Sequence, residues 1–255
     1  MSYLVVIPAR LKSTRLPEKV LADIAGLPMI QHVWQLASRA GAKRVLVATD
    51  SERIQSVVSG FGAECLLTRD DHASGSDRIA EVVERLELPA DTVIVNLQGD
   101  EPEMPPACLD QVAQLLATGG DVATLCARIE DSTELEDPNA VKVVMNGQGD
   151  ALYFSRSLVP HPRGMTPEAA LDAGVPFYRH LGLYAYRAEA LRQFTATPPS
   201  ALEQAEGLEQ LRFLDQGLSI RIEEAVASIP PGIDGPEDLD RVRLRMTGAK
   251  NTRHD

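Results

Sequence analysis

Four successive aliphatic residues near the start, Leu4, Val5, Val6 and Ile7, closed by Pro8, constrain the fold more than any other feature. An unbroken apolar run of that length belongs to a strand covered on both faces, as in a parallel sheet. Parallel strands need crossover helices, and the sequence supplies them. Ile30, Val33, Trp34 and Ala37 recur at helical spacing between Pro28 and Gly41. Residues 44–49 then read as a strand, 54–61 as a helix stopped by Gly62, 64–67 as a strand, 79–86 as a helix and 92–97 as a buried strand. This alternation predicts an α/β fold with a doubly wound, mostly parallel sheet, whose ligands sit beyond the carboxyl ends of the strands. Residues 8–15, Asp50 and residues 98–100 are expected on that edge.

From Val141 the rhythm changes. Residues 141–145 and 152–154 flank Asn146, Gly147, Gln148 and Gly149, a hairpin signal that predicts an added antiparallel element. Residues 160–176, with prolines at 160, 162, 167 and 176, read as an irregular excursion, followed by a strand over 181–186. Helices are expected over 208–214 and 236–246, and a frayed polar tail over 247–255.

The formal net charge of -12 argues against nucleic acid or an anionic membrane as partner, because either demands a basic surface. Phosphate chemistry would need a local cluster of cations. The three cysteines, Cys65, Cys108 and Cys126, sit apart in apolar stretches without metal-ligand spacing and read as buried thiols of a reducing compartment. No basic leader opens the sequence and no apolar run is long enough to span a bilayer, so a soluble cytoplasmic protein without membrane insertion is expected.

Between the first strand and the first helix lie Arg10, Lys12, Arg15 and Lys19, four cations in ten residues. They suit a polyphosphate held by side chains, since no glycine-rich phosphate loop is present. Composition alone fits a solvated basic loop equally well. Asp100, in Gln98-Gly-Asp-Glu-Pro102, should emerge from a buried strand at the binding edge, where a carboxylate can share Mg2+ with substrate phosphates. Asp234 is a second such carboxylate. Asp234 or Gly235 can also cap the helix that has Pro236 in its first turn, with Glu237 placed for a capping box, and capping is compatible with metal binding. Arg78 reads by position as a surface residue in the first turn of a helix.

Together these segments resemble the 3-deoxy-manno-octulosonate cytidylyltransferase family. The resemblance rests on Ile7-Pro-Ala-Arg10, Ser13-Thr-Arg-Leu-Pro-Glu-Lys19, Ala48-Thr-Asp50, Gln98-Gly-Asp-Glu-Pro102, Pro138-Asn-Ala-Val-Lys-Val-Val144, Leu152-Tyr-Phe-Ser-Arg156, Arg179-His-Leu-Gly182 and Leu208-Glu-Gln-Leu-Arg212. It implies one domain over residues 1–255. In that reading 1–135 and 215–246 form mainly a nucleotide-binding core, and 136–214 mainly a sugar-binding and dimerisation element.

The resemblance also implies roles. Ala9, Arg10, Ser13, Arg15, Lys19, Ser74, Gly75 and Gln98 would bind CTP, with Arg10, Arg15, Lys19 and Asp100 catalytic. Asp100 and Asp234 would hold Mg2+, while Arg78, Arg156, His180, Tyr184, Glu209 and Gln210 would line the sugar-acid side. Asp77 stands where the family commonly has Glu, Ser76 where Thr is usual, and Gly235 where Thr follows the metal aspartate. The implied reaction joins the CMP of CTP to the sugar acid, in lipopolysaccharide biosynthesis, by a cytoplasmic homodimer. Two other readings stay open at this stage: the same chemistry on an 8-amino analogue or a sialic acid, and a nucleotide-binding module without turnover.

Overall fold

The computed structural model describes residues 2–13 and 15–251, with side chains through residue 248. Strand β1 (Tyr3–Ala9) is followed by a short hairpin, β2 (Asp23–Ile24) and β3 (Leu27–Pro28), and helix α1 (Met29–Ala37). Next come β4 (Arg44–Thr49), α2 (Glu52–Gly60), β5 (Glu64–Leu67), α3 (Gly75–Arg85), β6 (Val93–Asn96), α4 (Pro106–Leu115), β7 (Val122–Arg128) and α5 (Ser132–Glu136). The chain continues through β8 (Lys142–Met145), β9 (Ala151–Ser155), α6 (Pro167–Asp172), β10 (Tyr178–Arg187), α7 (Ala188–Ala196), α8 (Ala201–Glu206) and α9 (Gln210–Asp215). It closes with β11 (Ile220–Glu224) and α10 (Pro236–Asn251). The fold is mixed α/β, with a mostly parallel sheet and an added antiparallel hairpin. Two compact units emerge, one built from Ser2–Leu88, Ile94–Asp110 and the segment from Ile229, the other from Pro89–Val93 and Gln111–Ser228.

In the first unit the strands lie in the order β6, β1, β4, β5. β1 and β4 run parallel with Val6 opposite Leu46, and β4 and β5 with Val47 opposite Cys65. Val5, Val6, Ile7, Leu46, Val47, Ile94 and Val95 are buried, as a sheet covered on both faces requires. Each such side chain contributes roughly 1.5–3 kcal/mol by leaving water.

The apolar period Ile79, Val82, Val83 forms the buried face of α3, but the helix begins at Gly75, earlier than that period suggests. The reason is a capping box: Ser74 Oγ accepts from Asp77 N at 3.2 Å, and the Asp77 carboxylate accepts from Ser74 N at 3.1 Å. The shorter Asp77 thus closes the box that a Glu would make.

In the second unit β7 pairs with β11 in parallel and with β10 antiparallel, while β8 joins β10 and β9 antiparallel. The hairpin of β8 and β9 matches its sequence signal, and Asn146 Oδ1 holds the turn by accepting from Gln148 N and Asp150 N, both at 2.9 Å. The stretch 160–176 is less irregular than its prolines suggest. Thr166 caps α6, Pro167 occupies its first turn, and Ala170 packs with Ile129, Leu135 and Phe177.

Helix α10 runs through Thr247 to Asn251, where a frayed tail was expected; residues 252–255 lie outside the described residues. Cys108 and Cys126 are buried and Cys65 is half-buried. Burial pushes the Cys65 thiol up to about 11 and that of Cys126 up to about 12, which keeps both protonated at neutral pH. Among the described residues no helix is long and apolar enough to cross a membrane.

Candidate active site

Strand β1 ends at Ala9 and releases the cationic loop at the carboxyl edge of the sheet. Arg10, Leu11, Lys12, Ser13, Pro17 and Glu18 line a cavity of about 430 Å³. Lys19 is paired with carboxylates. Its ammonium donates to Asp100 Oδ2 at 2.6 Å and to Ile233 O at 2.8 Å, and lies 3.9 Å from Asp234 Oδ1. Arg15 Nη1 reaches Asp234 Oδ2 at 3.3 Å. Segments distant in sequence therefore converge on one cluster of two cations and two carboxylates.

Backbone packing puts them there. Gly99 follows β6 so closely under β1 that a Cβ would lie 3.1 Å from Pro8 O. Ile233 N donates to Asp100 O at 3.0 Å, which docks the approach to α10 on the same loop. The cap of α10 comes from Asp238, not Glu237: its Oδ2 accepts from Asp234 N at 3.0 Å and Gly235 N at 2.9 Å, holding the Asp238 carboxyl below its usual range. The Asp234 side chain is left to its cations. Glu101 beside them is pushed up to about 7, first by burial and then by the charges of Asp100 and Asp234, with Lys19 opposing.

Ser74, Gly75 and Gln98 meet at the start of α3. A Cβ on Gly75 would stand 3.4 Å from Pro8 Cγ and 3.6 Å from Gln98 Nε2, so the helix terminus lies directly against the Gln98 amide. That amide donates to Asn96 Oδ1 at 3.3 Å. Arg78 is not the surface residue its position suggests. It is 4% exposed, and its guanidinium points inward to Asp50, Thr68 and Arg69.

The remaining candidates belong to the second unit. The Arg156 guanidinium donates to the carbonyls of Glu206 at 2.7 Å, Pro138 at 2.8 Å and Gly207 at 3.4 Å. His180 Nε2 lies 3.1 Å from Thr124 Oγ1, which also lies 3.0 Å from Leu181 O and 2.9 Å from Leu183 O across an irregularity in β10. Burial pushes His180 down to about 3, so of the basic residues expected on the sugar-acid side, Arg78, Arg156 and His180, this one brings no charge.

The His180 ring packs edge-on to Phe154 and at 5.3 Å from Tyr184, which stacks on Tyr186. Among the described residues Gln210 Nε2 is buried without a hydrogen-bond partner, an arrangement that is costly unless a ligand completes it. Glu209 immediately precedes α9, which Gln210 opens.

The profile of the cytidylyltransferase family matches residues 4–222. A 3-deoxy-manno-octulosonate cytidylyltransferase of Pseudomonas fluorescens is 52% identical, over 95% of this chain and 97% of its own length. One of Vibrio cholerae serotype O1 is 49% identical, over 95% and 97%. The chain belongs to the 3-deoxy-manno-octulosonate cytidylyltransferase family. A solved structure of CMP:2-keto-3-deoxy-manno-octonic acid synthetase complexed with CTP is similar throughout, with a TM-score of 0.89, 43% identity, and coverage of 98% of this chain and all of that one.

For a member of this cytidylyltransferase family the donor set at Lys19 bears on Mg2+. Among the described residues no group of three or more His, Cys, Asp or Glu is arranged to hold a metal. Two carboxylates that already embrace an ammonium do fit a small hard cation that completes its shell with phosphate and water oxygens. Sequence reasoning missed Glu101, Thr124 and the cap at Asp238. Asp238 alone had a legible signal, three residues beyond Gly235.

Proposed function

We propose that this chain transfers CMP from CTP to the anomeric hydroxyl of 3-deoxy-manno-octulosonate (KDO), releasing pyrophosphate, as a Mg2+-dependent cytoplasmic homodimer serving lipopolysaccharide biosynthesis. The full-length likeness to curated KDO cytidylyltransferases carries the reading, because it spans both units. The nucleotide-side candidates Ala9, Arg10, Ser13, Arg15, Lys19, Ser74, Gly75, Gln98, Asp100 and Asp234 belong to one unit. Arg156, His180, Tyr184, Glu209 and Gln210 belong to the other.

In the reaction the anomeric oxygen bonds to the α-phosphorus, the bond from that phosphorus to the β-phosphate oxygen breaks, and the hydroxyl proton is lost to solvent. Arg10, Arg15 and Lys19 offset the charge that collects on pyrophosphate as it leaves, an electrostatic task realised in the transition state. Asp100 and Asp234 would hold Mg2+, which when bound lowers the pKa of a coordinated hydroxyl and draws charge from phosphate oxygens. Gln210 Nε2, buried without a partner among the described residues, supplies a group that a polyhydroxylated ligand would satisfy. His180, kept neutral by burial, offers a hydrogen bond in place of charge.

The test is pyrophosphate release from CTP and Mg2+ with KDO, run beside its 8-amino analogue and N-acetylneuraminate. Release with KDO at the highest kcat/KM is expected. Preference for another acid would move the sugar specificity, and no release with any would overturn the enzyme reading.

A further inference from the structure

Arg78 is set apart from the other candidates for the sugar side by its place in the fold. It belongs with Ser74, Gly75 and Gln98 in the first unit, whereas Arg156, His180, Tyr184, Glu209 and Gln210 belong to the second. Its side chain is 5% exposed and that of Asp50 14%. Arg78 Nη2 donates to Asp50 Oδ2 at 2.9 Å, and Nη1 donates to Thr68 Oγ1 and, at 3.3 Å, to Arg69 O. Asp50 follows β4, Thr68 follows β5, and Arg78 N donates to Ser74 O at 3.3 Å in the first turn of α3. One buried guanidinium thus pins the start of α3 to the ends of two neighbouring strands.

That helix start is the part of the molecule packed on the Gln98 amide, through Gly75. Cytosine and uracil differ only in which ring positions donate and which accept hydrogen bonds. A site tells them apart only if its own donors and acceptors are fixed, since a wrong base must leave buried polar groups unpaired. A buried ion pair is well suited to fixing such geometry, because losing one partner strands the other charge.

We propose that the Arg78 and Asp50 pair is a positioning device for base recognition, holding Ser74 and Gly75 against Gln98 so that the site prefers CTP to UTP. The inference rests on the reading of this edge as the CTP site, and it assigns Arg78 to the nucleotide and not to the sugar acid.

The experiment measures pyrophosphate release with CTP and with UTP, at saturating KDO and Mg2+, for wild type, Asp50→Asn, Arg78→Lys and the double variant, with thermal midpoints recorded. Each single variant should raise the CTP KM and lower the CTP over UTP preference in kcat/KM by about tenfold, while the KDO KM stays within about twofold. The double variant should lose no more preference than the worse single one, since both act through one pair. A lowered thermal midpoint with unchanged base preference would overturn the proposal in favour of a purely structural pair. A raised KDO KM with unchanged preference would overturn it in favour of sugar binding. Wild-type enzyme that releases no pyrophosphate from CTP would instead remove the CTP-site reading. Asp50→Asn preserves shape and so keeps the test open if Arg78→Lys does not fold.

Discussion

Lys19 Nζ donates to Asp100 Oδ2 at 2.6 Å, with the lysine side chain 13% exposed and the aspartate 29%. The same nitrogen bonds Ile233 O, so one ammonium joins the loop after β6 to the approach to α10. Asp100 therefore has two expected tasks, cation binding during the reaction and anchorage of Lys19. Asp100→Ala should lower turnover by about 100- to 1,000-fold or more, the usual loss when one electrostatic contact to a transition state is removed. Pyrophosphate release at saturating CTP and KDO checks this, and near-normal turnover would remove Asp100 from the metal assignment.

The close approach of Gly99 to Pro8 gives a prediction about packing. A Cβ there would stand 3.1 Å from Pro8 O and 3.4 Å from both Val20 Cγ1 and Ile30 Cδ1, so the loop that carries Asp100 would have to shift. Gly99→Ala should destabilise the fold by about 1–3 kcal/mol, the range for overpacking, and depress turnover as well. Gly235→Ala is the control. Among the described residues its Cβ would meet only Asp238 Oδ2, at 3.9 Å; the gain of about 0.4–1 kcal/mol from a less free unfolded chain is opposed by the poorer N-cap that Ala makes before Pro236, so this variant should stay within about 1 kcal/mol of wild type. Thermal melts of the two variants measure the contrast; equal midpoints would show that Gly99 has room to spare.

Arg156 ties three carbonyls together, those of Pro138, Glu206 and Gly207. Sequence alone suggests that Arg156→Ala mainly raises the sugar KM. The observed contacts add a second effect, a lower thermal midpoint, because three acceptors lose a charged donor. Hydrogen bonds to charged groups contribute about 1.5–3 kcal/mol each where buried, and less at this partly exposed site. Saturation curves for KDO and melts of the same preparations separate the effects. An unchanged sugar KM would show that Arg156 serves only the fold.

How much of this was legible in the sequence follows from where each signal lives. β1, the helix at Ile30 and the hairpin around Asn146 were readable because period and turn chemistry are local. Asp100 and Lys19 were readable as candidates, but not their contact, which spans a sequence separation of 81. β7 mixes small and larger residues without a period in Val122-Ala-Thr-Leu-Cys-Ala-Arg128, and their burial is set by β10 and β11 and not by propensity. Arg78 shows the limit most clearly. Its place in a first helical turn suggested solvent, and only the ends of β4 and β5 supply the acceptors that draw it inward.

His180 gives the last prediction, on acid stability. Its folded pKa lies at about 3, against an ordinary 6.5, because burial disfavours the charged imidazolium. A depressed histidine means that the unfolded chain takes up the proton first. Its contribution is therefore present above about pH 6.5 and is lost progressively as pH falls from there toward 3. Asp150, Glu206 and Asp238, whose carboxyls are also held low, add their own loss at acid pH. A comparison of variants cancels those shared terms. The thermal midpoint of the wild-type protein should fall more steeply between pH 6.5 and 4 than that of His180→Gln, which has no proton to gain. Parallel slopes would mean that the imidazole titrates in the folded protein as it does in water, and its part in the sugar site would then have to be rewritten as that of a cation.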